Sequence, residues 1–486
     1  MKKTIITLLF VISSVIMFSG SLDYMYGYDF SSQASTTYQG LKLSLSTDTQ
    51  LGNVYFKADG ELYSFNPDKM PQLNLPDKYS DILKLISEPF SFYSLTEAYA
   101  AVYFDNGTLK FGRFIPYSGS STFYSPSVVL PAHDYVSIFE QNKTLPLDGI
   151  NYNGYLGDYT YDLYFVPKLY DDIPSAVIYP VSVSQNIDAG INSTLTAQTE
   201  IKKYELTVYA SSVVSNTDLY NKLRGIISLL PEEYTVDSRD IYFKSNENAS
   251  FLNHNYSAYI SSQILNFDVK LGYSFDHYKF YVPEKIIYSY NAEGEADVSY
   301  TYYKPYKNTV SLDYQGISFL MDSISYHGEI SLSVPEKTNT DITVKNYSFD
   351  QNLNPVSVTN ESSTQIFGAY CLKGVVGAEY TKGDTFTAGA ELFNGMPNEE
   401  FKNKISFGGD IYIKNQISDF NFENLILVAF SGSEPGYEIS SKISYSGIDG
   451  FEPSVSVNYA FSDYDSNPMK TLETLNSVKL NIKTYF

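Results

Sequence analysis

Through most of the chain, apolar and polar residues alternate with a period of two, the spacing that sends successive side chains to opposite faces of a β-strand. The cleanest case sets Phe267, Val269, Leu271, Tyr273 and Phe275 against Asp268, Lys270, Gly272 and Ser274. Similar strands are predicted around Leu41–Leu45, Val54–Ala58, Ala98–Phe104, Ile330–Val334, Phe386–Leu392, Ile405–Ile413, Ile439–Ile443 and Val455–Phe461. Asp105-Asn106-Gly107 reads as a tight hairpin turn between two of them. Alternation also predicts strands through Ile187, Ala189, Ile191 and Leu195, and through Tyr204, Leu206, Val208 and Ala210. Leu219, Leu223, Ile226, Ile227 and Leu230 instead share one face of a helix that Pro231 ends, and Asp81 to Ile86 is expected to make one helical turn. Counted back from Phe486, the long polar links Pro335–Ser363, Asn394–Lys404 and Ser462–Ser477 fall on one side of the sheet. The short link Thr381–Asp384 falls on the other. Repeating a strand pair of ~20 residues gives roughly 16–18 strands, and long links at one end with tight turns at the other are the habit of a membrane-spanning barrel.

The start of the chain supports export. Lys2 and Lys3 precede an apolar run from Ile5 to Phe18, followed by Ser19, Gly20 and Ser21, the layout of a secretory signal cleaved after Ser21. Beyond it lies no second apolar stretch long enough for a transmembrane helix, so an exported chain is either soluble or a barrel. The expected organisation is therefore a signal at residues 1–21, a periplasmic lead-in at 22–37, and a barrel at 38–486. Composition agrees: 47 Tyr and 31 Phe with 18% charged residues suit strands that meet lipid and end in aromatic girdles. Cys371, the one cysteine, excludes an intrachain disulfide framework.

Two pieces of the chain carry a family resemblance. The last strand places Val478, Leu480, Ile482 and Phe486 on one face, interrupted by Thr484, with Tyr485 on the other. It resembles the closing strand of bacterial outer-membrane β-barrels, and that resemblance implies recognition by the barrel-insertion machinery. The run Gly112-Arg113, Pro116, Gly119, Pro126 and Pro131 resembles a motif of a poorly characterised group of porin-like outer-membrane barrels. Tyr117 and Ser118 stand where that group more often has Trp-Gly. Asp162–Pro167 with Ile173-Pro174, and Ala388–Gly395, look like the same group. The resemblance implies an all-β transmembrane antiparallel barrel with short loop helices, set in outer-membrane lipid. A homo-oligomer is compatible with it.

The net charge of −22 argues against nucleic acid as a partner, since phosphates require a basic surface. Arg113, Arg224 and Arg239 are the only arginines, too few for an arginine-lined anion pore, so a channel here is expected to be neutral or cation-preferring. His133, His254, His277 and His327 are scattered without metal-site spacing, and no Gly-x-Ser-x-Gly turn or glycine-rich phosphate loop is present. No catalytic, cofactor or metal residues are therefore expected. Strand parity turns Lys110, Asp268, Lys270 and Glu391 towards the lumen as candidate pore-lining residues. Arg113 shares parity with Leu109 and Phe111, so it either snorkels on the outer face or is turned inwards by a bulge. The expected function is a passive, porin-like outer-membrane channel for small polar solutes. The alternative is a closed barrel acting as a surface adhesin or structural anchor.

Overall fold

The computed structural model describes residues 18–30, 36–66, 90–116, 119–121, 124–131, 133–134, 143–168, 175–244, 254–279, 281–318, 323–349, 355–367, 370–396, 406–464, 467–473 and 476–486. The first strands are β1 (Phe18–Asp29), β2 (Thr36–Leu51), β3 (Val54–Asn66), β4 (Phe90–Phe104) and β5 (Gly107–Phe114). The short pair β6 (His133–Asp134) and β7 (Lys143–Thr144) precedes β8 (Leu147–Leu156) and β9 (Tyr159–Lys168). Helices α1 (Ser175–Ser212) and α2 (Thr217–Leu229) lead to β10 (Thr235–Phe243), β11 (Asn255–Ile264), β12 (Phe267–His277), β13 (Val282–Tyr290), β14 (Glu295–Tyr303) and β15 (Tyr306–Ile317). Then come β16 (Ile324–Pro335), β17 (Thr338–Phe349), β18 (Pro355–Phe367), β19 (Cys371–Lys382), β20 (Phe386–Asn394), β21 (Phe407–Ile417) and β22 (Phe420–Ser431). The chain finishes with β23 (Glu434–Tyr445), β24 (Phe451–Phe461), a short α3 (Pro468–Leu472) and β25 (Ser477–Tyr485).

Eighteen of these strands form one antiparallel sheet that closes on itself, because β1 pairs with both β2 and β25. Closure leaves no open edge, so each strand of the wall pairs on both sides. Outward residues are large and apolar: Leu271 is 50% exposed, and Leu62, Ile330, Val376, Ile426 and Ile439 stand out in the same way. Inward neighbours such as Gly272, Ser274 and Asp276 are buried. This is the apolar-out, polar-in wall of a membrane barrel. At one end the turns are tight: 52–53, 105–106, 157–158, 265–266, 383–385 and 418–419. At the other end the strands are mostly joined by longer stretches of chain, such as 169–254, 278–305 and 336–370, with the two-residue turn 432–433 as an exception among the described links.

The structure departs from the sequence reading in three places. Residues 18–37, expected as the end of the signal and a lead-in, contain β1 and the start of β2, and β1 is the strand that closes the barrel. Its alternation of Leu22, Tyr24, Tyr26 and Tyr28 with Asp23, Met25 and Gly27 is clear once Tyr is counted as lipid-facing. The strands expected at Ile187–Leu195 and Tyr204–Ala210 are one helix of 38 residues, α1. Ile187, Ile191 and Leu195 pack on a sheet at a spacing of four, which a period-two reading of 187, 189 and 191 mistakes for a strand. Finally, the polar link 335–363 is largely the hairpin β17–β18. The helix expected through Leu219–Leu230 is α2, with Leu223 and Ile226 buried. Residues 1–17 and 81–86 lie outside the described residues.

A second sheet stands beyond the long-link end in the order β10-β14-β13-β17-β18. It is fed directly from the wall, since β13–β14 continue from β12 into β15 and β17–β18 continue from β16 into β19. Its buried face, Ile286, Tyr288, Tyr290, Val298, Tyr300, Tyr302, Ile342 and Val344, is covered by α1. Asp188 of α1 sits in this apolar interface and accepts from Tyr288 Oη at 2.6 Å and from Tyr300 Oη, while Arg239 Nη2 of β10 donates to it at 2.7 Å. Burial, with the Asp188 carboxylate close by, pushes both phenols well above the ordinary tyrosine range, so they remain donors. Asp188→Asn keeps one acceptor and removes the charge that holds Arg239. It should loosen α1 by roughly 2 kcal/mol, about 30-fold in local opening. Faster tryptic cleavage after Lys202 or Lys203, with the barrel's heat-modifiable gel mobility unchanged, is the expected outcome.

Candidate pore constriction

The long link 115–146 does not stay at the rim. Its described part turns into the lumen and crosses it between two apolar patches on different parts of the wall. On one side Leu130 packs with Phe114, Leu147, Tyr164, Val166 and Tyr259, from β5, β8, β9 and β11. On the other, Tyr124 packs against a cluster containing Val375, Phe393, Leu427 and Ala429, from β19, β20 and β22. Pro126 opens a turn in which Val128 N donates to Ser125 O at 3.1 Å, and its fixed φ suits that corner. The turn directs Ser127 at the wall.

What holds the link there is Glu329 of β16, which is 0% exposed. Its Oε1 accepts from Ser120 N at 2.7 Å and Ser121 N at 2.8 Å. Its Oε2 accepts from Ser127 N at 3.0 Å and Ser127 Oγ at 2.7 Å. The backbone N–H groups of Ser120, Ser121 and Ser127 can only donate, and the two Glu329 oxygens supply acceptors for all three. Gly119 belongs to the same device. A Cβ at that position would collide with Glu329 Oε1 and Ser125 Oγ, so the close approach requires glycine.

Further carboxylates surround the crossing. Ser120 Oγ lies 2.7 Å from Asp313 Oδ1, and Ser121 Oγ lies 2.8 Å from Glu391 Oε2. His327 Nε2 is 2.9 Å from Glu391 Oε1, and it reaches there over Gly377, where a Cβ would clash with its ring. Asp410 stands directly across the strand pair from Glu391. Towards the short-turn end is a cavity of about 370 Å³ lined by Ser120, Asp268, Gln315, His327, Glu379 and Tyr412, among others.

The sequence-predicted residues fall at different distances from this crossing. Glu391 is part of it and Asp268 lines the cavity beside it. Lys110 sits over the rings of Tyr99 and Phe114 at 4.7 and 5.5 Å, and Lys270 sits over Tyr259 at 4.8 Å. Arg113 stays on the outer face. Asp148 holds it in a bidentate pair, Nε to Oδ1 at 2.7 Å and Nη2 to Oδ2 at 2.8 Å, while Nη1 donates to the Leu95 carbonyl at 3.0 Å. Gly112, at φ +122°, takes a conformation that suits glycine. Pro116 leads out of β5, and the Pro131 carbonyl accepts from Lys279 Nζ. Val478 and Leu480 face outwards, Ile482 shares their parity, and Tyr485 Oη donates to Glu452 Oε2 at 3.0 Å. Phe486 exchanges backbone hydrogen bonds with Gly20 at 2.9 and 3.0 Å. Parity along His327-Gly328-Glu329-Ile330 could have marked Glu329 as inward, but its partners lie some 200 residues away in sequence.

The chain is a closed eighteen-stranded antiparallel barrel with an apolar outer face. No protein-family profile and no curated protein matches its sequence. Solved structures do resemble it in fold. One is Acinetobacter baumannii OccAB3, with 9% identity and a TM-score of 0.46 over 97% of this chain and 99% of that one. Pseudomonas aeruginosa OpdK, solved with vanillate, has 8% identity and a TM-score of 0.48 over 97% and 99%. Pseudomonas aeruginosa OpdQ has 10% identity and a TM-score of 0.47 over 97% of each chain. At such identities the residues of the constriction are read from this chain alone.

Proposed function

We propose that the protein is an outer-membrane channel for passive diffusion of small polar solutes, with a neutral or cation-preferring lumen. The observation that carries this reading is the link pinned across the lumen by Glu329, which narrows the passage where Asp313, Glu391 and Asp410 stand in the inner wall. Fixed carboxylates at a narrowing raise the local concentration of cations and oppose anions. None of the arginines offsets them there: Arg113 is on the outer face, Arg224 is exposed on α2, and Arg239 is in the second sheet. Lys110, Asp268, Lys270 and Glu391 are assigned to the solute path. The terminal strand through Val478, Leu480, Ile482, Tyr485 and Phe486 is assigned to recognition by the insertion machinery, and the long-link end to the cell exterior. Enzymatic chemistry has no part in the reading.

The second sheet with α1 and α2 favours one other reading, a closed barrel that displays this unit as an adhesin or anchor. Conductance separates the two. The detergent-refolded mature chain, placed in a planar bilayer under a tenfold KCl gradient, should give stable steps and a reversal potential of cation sign. A protein that inserts without conducting would favour the adhesin.

A further inference from the structure

The carboxylates at the crossing are not equally provided for. Glu329 is taken up by the link's own donors, Asp313 has the Ser120 hydroxyl, and Glu391 has the Ser121 hydroxyl and the His327 ring. Asp410 is different. It is 3% exposed, and neither of its oxygens has a hydrogen-bond donor. A buried carboxylate in this condition is costly, and the cost is relieved by a cation that brings its own N–H groups. Glu391 faces Asp410 across the strand pair, so the two present paired acceptors.

The surroundings define the cation. Among the described residues no group of three or more His, Cys, Asp or Glu side chains converges as a metal site. On its other side Asp410 is in register with fully buried Leu427, part of the apolar cluster with Val375 and Phe393. A small inorganic cation that keeps its hydration shell gains nothing from such neighbours. A primary ammonium on a short alkyl stem gains on both counts, with three donors for the carboxylates and methylenes for the apolar side. Two residues along β21 from Asp410, on the same face, Tyr412 leans over Gly389 to donate to Glu379 at 2.8 Å. Tyr412 and Glu379 also line the cavity of about 370 Å³, which offers a second, polar and acidic berth for the rest of the molecule.

We propose that Asp410, with Glu391, is a binding site for the primary ammonium group of an organic cation, which makes small aliphatic amines the solutes that the narrowing selects. The inference rests on the channel reading for its physiological meaning, but the site itself is testable without conductance. Equilibrium dialysis of the refolded full chain in detergent at low salt, with radiolabelled 1,5-diaminopentane as the probe, should show saturable binding of about one molecule per chain. Asp410→Asn should weaken it by roughly 30-fold or more, since one partner of a buried charge pair is lost. Asp105→Asn, in an exposed turn, should leave it unchanged. Heat-modifiable gel mobility reports whether each variant is folded, and Asp410→Glu, which retains the charge, should bind more tightly than Asp410→Asn. Wild-type protein that binds no diamine, or folded Asp410→Asn that binds as wild type does, overturns the proposal. A chain that conducts without binding the diamine refutes the site and leaves the channel reading standing. One that binds without conducting supports the site and refutes the channel.

Discussion

Glu329→Ala is expected to free the link 115–146 from the wall and enlarge the pore. The substitution removes the acceptor for Ser120 N, Ser121 N, Ser127 N and Ser127 Oγ at once, and it opens space under Gly119. Breaking a buried charged hub by removing one partner costs ~3–5 kcal/mol, more than the remaining apolar contacts of Leu130 and Tyr124 can localise in a single conformation. Single-channel recording should show a higher and noisier conductance than the wild type, with weaker cation preference. Glu329→Gln is the sharper comparison, because it keeps the size but introduces an amide donor facing backbone donors; its conductance should rise as well. A wild-type conductance in both variants would mean that the link is held by its apolar contacts and that Glu329 is not the clasp.

Leu271→Arg should block insertion. Leu271 is half exposed on the outer face of β12, flanked in the wall by Ile260 of β11 and Leu312 of β15. A cation at mid-bilayer on the lipid face costs ~2–4 kcal/mol, and the barrel has no inward alternative for a residue of that parity. Lys270→Arg, one residue away, keeps its charge over the Tyr259 ring and should insert normally. Folding yield into vesicles, read by heat-modifiable gel mobility, compares the two. Equal yields would reverse the assignment of inner and outer faces.

Both predictions start from parity, yet they depend on the tertiary structure to different degrees. The Leu271 prediction was legible in the chain, because β12 alternates without a fault from Phe267 to Phe275. The Glu329 prediction was not, since nothing local to β16 says that serines from a link some 200 residues earlier will meet it. Arg113 lies between these cases. Its outward parity was readable, but the choice between snorkelling and a bulge was settled by Asp148, which comes from the neighbouring strand at matching parity. The α1 region shows the opposite failure. Ile187 and Ile191 fit either period, and the polar residues that belong to the helical face, Asp188 and Asn192, signify packing only when Tyr288 and Tyr290 are known to bond to them.

By itself the sequence determined most of the wall, from β2 to β25: which residues meet lipid, which end carries the tight turns, and a barrel of 16–18 strands, but not β1, the strand that closes it. Those properties follow from a period of two, and a one-residue slip would put every polar side chain into lipid, so the pattern specifies the register directly. Only the tertiary structure decided what happens inside and above the wall. The path of the link across the lumen, the bonding of Glu329, the unpartnered carboxylate of Asp410 and the seating of α1 on the second sheet all join residues far apart in the chain. Such contacts are selected by shape and by the satisfaction of buried polar groups, neither of which leaves a periodic trace in the sequence.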